Sequence, residues 1–253
     1  MRPMRLATRT GGPGIARATP DRDEDVAAEL ERSAGRAQVR GGLAAAAAFL
    51  QRAVALTSDP SRRAERGLAA AQASLHAGAF DVALRLLSAV EAESTDDFQR
   101  ARAELVRGHV AFARGPGSDA PPLLLAAARR LEPFDAALAR DAYLDAWGAA
   151  LFAGELATAG DLLAVSRAAR AAPVPAHGPR PADLLLDGLA TLVTDGRAVA
   201  APRLREAADA FATADGPSEQ HLRWGWLTTV PSNVLWDEGT RHSINVRQLR
   251  HAR

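Results

Sequence analysis

The chain has 253 residues, with 31 basic and 30 acidic side chains, a net charge of +1 and 47% hydrophobic content. Every basic residue is Arg and there is no Cys, which excludes disulfides, zinc–thiolate sites, thiol catalysis, a P-loop lysine and Schiff-base chemistry. The near-neutral charge gives no global pull toward nucleic acid, and no apolar run reaches the ~20 residues of a membrane span, so a cytoplasmic protein is expected.

Residues 1–21 carry Arg2, Arg5, Arg9 and Arg17 with no acid before Asp21, and Gly11-Gly12-Pro13-Gly14 breaks any helix. A disordered leader fits this better than a transit peptide. Ala and Leu at helical spacing then predict an all-α chain. The first helices run from about Asp23 to Val39, Leu43 to Leu56, Ser61 to His76 and Phe80 to Glu91. Asp96 to Arg114 follows, then a helix with Asp119 as N-cap and Pro121 in its first turn, ending at Glu132-Pro133. Two more span about Asp135 to Phe152 and Glu155 to Ala171. Pro173, Pro175, Pro179 and Pro181 impose a stiff break over 172–181. About Ala182 to Thr194 and Val199 to Ala214 complete a fifth pair. The segment 215–253 is Trp-rich, with Trp224, Trp226 and Trp236, and holds no Ala before Ala252. Pro231 is expected to interrupt any helix there, and Thr240 to Arg253 to form a short one, an incomplete last repeat.

One phrase recurs five times: an apolar residue, Gly three later, Ala five after the Gly, and Leu eight after it. The glycines are Gly42, Gly78, Gly115, Gly154 and Gly196, preceded by Val39, Leu75, Phe112, Leu151 and Val193. The alanines are Ala47, Ala83, Ala120, Ala159 and Ala201, and the leucines Leu50, Leu86, Leu123, Leu162 and Leu204. From glycine to glycine the steps are 36, 37, 39 and 42 residues. Such a period marks stacked helical pairs. Gly makes the tight turn between two antiparallel helices, Ala lets them approach, and Leu fills the seam. Seven before the first three glycines stand the small Gly35, Ala71 and Gly108, whereas Trp147 and Leu189 stand before the last two. The expected architecture is an α-solenoid of about five tetratricopeptide-like pairs over 22–214.

Several stretches carry a closer likeness. They include Arg40-Gly41-Gly42-Leu43-Ala44 through Ala53, Arg63-Ala64-Glu65-Arg66 with Ala69 to Ala73, and Gly78-Ala79-Phe80-Asp81. Ala120-Pro121-Pro122-Leu123-Leu124-Leu125 through Pro133, and Asp183 to Gly188, continue it. Together they resemble the helical middle region of large ATP-binding LuxR-type transcriptional regulators, over most of Asp23 to Trp236. The resemblance implies a fragment lacking the family's P-loop ATPase and helix-turn-helix, with effector sensing or scaffolding as its role. Neither ATP nor specific DNA binding is expected. Ser243 to Arg250 has no preceding helix and turn suited to a recognition helix.

Candidate chemistry is sparse. His76, His109, His177, His221, His242 and His251 lack metal-ligand spacing, no Ser sits in a G-x-S-x-G elbow, and the acids Asp21, Asp23, Glu24, Asp25, Asp96 and Asp97 suit helix starts. No catalytic, cofactor or metal residue is therefore expected, and the chain is expected not to be an enzyme. Arg223, Trp224 and Trp226 are the candidate partner contact, because Arg and Trp concentrate where partners bind. Trp147 is expected to fill the gap between Ala-rich helices. A protein or peptide partner is expected, beside a small effector, with no membrane and weak self-association through the Trp-rich end; the alternative to a regulator segment is a free-standing tetratricopeptide-like adaptor that binds a partner helix or peptide in its concave groove.

Overall fold

The computed structural model describes residues 20–94, 96–115, 119–154, 161–176, 178–213 and 223–235. All regular structure among them is helical: α1 Pro20–Val39, α2 Leu43–Leu56, α3 Pro60–His76, α4 Phe80–Glu93, α5 Asp97–Arg114 and α6 Ala120–Leu131. After these come α7 Ala136–Ala153, α8 Leu162–Ala171, α9 Pro181–Asp195, α10 Arg197–Thr213, a 3-10 turn Gly225–Thr228 and α11 Thr229–Leu235. Each helix from α1 to α10 packs on its successor, and α3 also reaches α5, as α7 reaches α9. The result is the expected all-α solenoid, with the odd-numbered helices side by side along one face. Three apolar cores follow one another, around α1–α3, α3–α5 and α5 to α11.

The recurring glycines fall at the turns inside the five pairs. Gly78, Gly154 and Gly196 have φ of 73°, 52° and 85°, a backbone region where a Cβ is strained. In the first pair Gly41 takes that role with φ 75°, while Gly42 is the N-cap of α2 at φ −80°. Asp side chains cap the N-termini of α3, α5, α7 and α8: Asp59, Asp96, Asp135 and Asp161 accept from the backbone N–H of Arg62, Phe98, Leu138 and Ala164. Asp119 occupies the predicted N-cap position of α6 without a side-chain cap bond.

The seam-filling role is shared differently from the phrase. Ala47, Ala83 and Ala120 are buried, as are Leu50 and Leu204, but Leu86 and Leu162 are half-buried and Leu123 is exposed. Leu124 enters the α5–α6 seam instead. Its Cδ2 lies 2.6 Å from where a Cβ on Gly108 would stand. The α3–α4 and α9–α10 seams close in the same way, with Val90 over Gly67 and Leu204 over Gly188 at 2.6 and 2.7 Å. In the last pair Ala200 is fully buried and Ala201 only half. The small residue has slipped by one position from Leu189 to Gly188, which is why the large residue before Gly196 is tolerated.

Trp147 is 1% exposed, fills the α7–α8 gap, and donates from Nε1 to Ser166 Oγ on α8 at 3.2 Å. Pro231 does not interrupt its segment: it is the third residue of α11, within the first turn, where no intrahelical N–H is needed. α1 begins at Pro20, slightly before the expected boundary. The leader over 1–19, Ala159, Trp236, the Thr240–Arg253 helix and four of the histidines lie outside the described residues.

Candidate functional site

α5 and α7 are neighbours in the odd-helix row, and residues 223–226 bridge them. His109 on α5 donates from Nε2 to Asp145 Oδ2 on α7 at 2.8 Å. Arg223 donates to both oxygens of the same carboxylate, through Nε to Oδ1 at 3.2 Å and through Nη2 to Oδ2. Trp224 Nε1 adds a fourth donor, to Oδ1 at 2.9 Å. Four donors use the full acceptor capacity of a carboxylate. A proton on His109 Nε2 is required by its contact with Asp145. The 3.1 Å approach of Arg223 Nη2 to that nitrogen is therefore two donors converging on one acceptor, not a bond between them.

Beside this polar rung runs an aromatic one. Phe112 on α5 meets Phe152 on α7 with ring centroids 5.8 Å apart, and Phe152 meets Trp226 at 5.0 Å. The Trp226 indole lies over Gly148, where a Cβ would come within 3.1 Å of its ring, and its Nε1 donates to Arg223 O. Arg223 also stacks on the Trp224 ring at 4.9 Å, a cation–π contact. Of the three expected contact residues, Trp224 is buried at 2% exposure, while Arg223 and Trp226 are half-buried. The structure thus brings all three together, facing the solenoid's own odd-helix row.

One turn before Asp145, Asp141 pairs with Arg180, the N-cap residue of α9, at 2.7 Å. Arg180 is shared: its Nε and Nη2 and its backbone N–H also reach Asp183. Burial therefore prevails at Asp141 and pushes its carboxyl up to about 6, against the pull of Arg180 and Arg223. Burial also works against Asp145 and Asp183 as anions. His109, Arg223 and the Trp224 N–H outweigh it at Asp145, and Arg180 with Arg140 at Asp183, holding both below the usual carboxylate range. Arg140, 2% exposed, completes the α7–α9 link through Asp183 at 2.8 Å and Asp187 at 2.6 Å.

Sequence reasoning did not single out Asp145, Asp141 or Arg180. A signal was present in the spacing of opposite charges. His109 and Asp145 are 36 residues apart, Asp141 and Arg180 39, Arg140 and Asp183 43, and Glu24 and Arg66 42. Each is close to one repeat period, which sets such pairs on neighbouring odd helices.

Among the described residues no group of three His, Cys, Asp or Glu side chains could hold a metal ion, and no helix is long and apolar enough to cross a membrane. The arrangement holds a cationic and aromatic segment of the chain itself, residues 223–226. It offers a saturated carboxylate and stacked rings. Comparison with protein-family models, with curated proteins and with solved structures found no match.

Proposed function

We propose that the chain is a non-enzymatic regulatory scaffold that holds a protein or peptide partner on its odd-helix face, the role implied by its resemblance to the middle region of LuxR-type regulators. One observation carries this reading. The face formed by α5 and α7 already binds a segment remote in sequence, 79 residues from Asp145 at Trp224, through one carboxylate and one aromatic stack. Helical-pair solenoids present extended surfaces that bind by such side-chain rows, and Arg and Trp are the usual anchors.

The test begins with a partner captured by the purified full chain and then expressed by itself. Hydrogen-exchange protection on titrating it back should fall on α5, α7 and α9, with ATP and duplex DNA leaving exchange unchanged. Protection confined to α4, α6 and α8, or tight ATP binding, would overturn the reading.

A further inference from the structure

The five pairs share one register, and the third departs from it. Eight residues before the glycines of the phrase stand Ala34, Ala70, Arg107, Ala146 and Gly188, and the four small ones are buried. Ala70 lets α3 close on α2, within the first core. Arg107 stands instead between α5 and α4, where it bonds Glu91 through Nε at 3.3 Å and Nη2 at 2.7 Å. Four residues after the glycine, Ala46 and Ala200 are buried and Val82 half-buried, whereas the third pair has Asp119. Directly before its glycine the third pair has Arg114, against Ala77 and Ala153 in the pairs on either side. These three charges line a cleft of about 570 Å³ between α4 and α6, with α5 as its floor. The joint of α2, α3 and α4 holds a cavity of only about 50 Å³. Val110 and Ala111 form the floor of the cleft, and Leu84 and Leu123 its walls. Leu123 is the phrase leucine that the α5–α6 seam leaves out, and it is 37% exposed. An apolar cleft of this volume with a few convergent polar groups is the usual form of a small-ligand site.

We propose that this cleft binds a small amphipathic anion, a monocarboxylate whose head meets Arg114 and whose apolar tail lies along α5. Among the described residues Arg114 has no acceptor for its five N–H donors, whereas Asp119 is already engaged. Donors are thus in surplus, and the ligand that completes them brings acceptors and negative charge. Asp119, on the same lining, repels a second negative charge, which favours a monocarboxylate over a phosphate ester or a dicarboxylate. Arg107 and Arg114 lie two turns apart on α5, about 10 Å, the length of an extended chain of about eight carbons. Between them the tail covers Val110 and Ala111 and touches Leu84 and Leu123. Arg107, neutralised by Glu91, borders it with its methylene stem. A long charged side chain at the place of a buried alanine holds α4 off α5, so the third pair carries the opening in its own sequence. The cleft lies between two even helices, away from the odd-helix row, and the proposal does not rest on the scaffold reading.

Isothermal titration calorimetry of the full chain with octanoate, octan-1-ol and octyltrimethylammonium tests this. A single octanoate should bind per chain, at least about fivefold tighter than the alcohol or the cation of the same tail. Arg114→Gln and Leu123→Gln should each weaken octanoate by at least about threefold. Both should leave the melting temperature unchanged, because Arg114 is exposed and Leu124, not Leu123, makes the α5–α6 seam. Phe49→Gln, at an exposed apolar position on α2, should not alter the affinity. No saturable binding, several octanoates per chain, equal affinity for the cation, or indifference to either Arg114 or Leu123 overturns the proposal. Weakening by Phe49→Gln would put the tail on general apolar surface and overturn it too. Partner protection of α5, α7 and α9 is a separate measurement, so failure here leaves the scaffold reading standing.

Discussion

The indole nitrogen of Trp224 donates to Asp145 at 2.9 Å across 79 residues of chain, and His109, from the neighbouring repeat, donates to the same carboxylate at 2.8 Å. One acid therefore ties the third pair, the fourth pair and residues 223–224. Removing it strands a guanidinium, an imidazole N–H and an indole N–H together. Asp145→Ala is expected to cost about 3 kcal/mol, the scale for breaking a buried pair at one partner. Asp145→Asn should cost less, because its carbonyl oxygen still accepts from Trp224. Urea titration of the two variants checks the order.

The seam glycines give a sharper contrast. Gly108→Ala places a Cβ 2.6 Å from Leu124 Cδ2, 2.8 Å from its Cγ and 3.3 Å from its backbone nitrogen, so rotating one methyl does not relieve the contact. A loss of about 1–3 kcal/mol is expected from overpacking. Gly35, inside α1, meets nothing within 4 Å. Gly35→Ala should therefore stabilise by up to about 1 kcal/mol through helix propensity. Thermal unfolding of the two variants should move in opposite directions; movement in the same direction would refute the seam assignment.

Trp147 and Ser166 form a second closed unit. Ser166→Ala leaves the Trp147 N–H without an acceptor at a site 0% exposed at Ser166, at a cost of about 1–3 kcal/mol. Trp147→Ala should cost about 3–5 kcal/mol from the cavity. Because the two side chains touch, the double variant should fall short of the sum, which a double-mutant cycle measures.

The pH dependence follows from Asp141. Its carboxyl moves from 3.8 up to about 6 on folding, mainly through burial. A raised acid favours the folded state while protonated, so its contribution is complete below about 4 and is lost as pH rises through about 6. The displacement is worth on the order of 3 kcal/mol. Asp145 and Asp183 are held low and act in the opposite sense, losing stability as pH falls below the ordinary carboxylate value. Asp141→Asn should flatten the stability curve between pH 4 and 6.5 and leave the acid limb in place. An unchanged slope across that window would place the titration elsewhere.

Sequence by itself determined the class of fold and its period. Gly78, Gly154 and Gly196 could be read as turns because a positive φ is a local property of the backbone, and the breaks at Pro60 and over 172–181 are equally local. It also placed a single phrase in each pair, and α1 to α10 form five pairs among the described residues. What it missed was which neighbouring residue of a repeat turns inward. Leu124 rather than Leu123 enters the α5–α6 seam, and Gly188, beside the equally buried Leu189, is the residue that meets Leu204; each is one position from the phrase, and one position is about 100° around a helix. That rotation is set by the helix packed alongside, which a single repeat does not encode. The site lay further from view for the same reason. His109, Asp145 and Arg223 are ordinary surface types when read singly, and they become a saturated carboxylate only where two repeats and residues 223–224 converge. Periodicity, a local pattern summed along the chain, fixed the scaffold; burial and the meeting of distant charges, which exist only once the helices stack, decided the site.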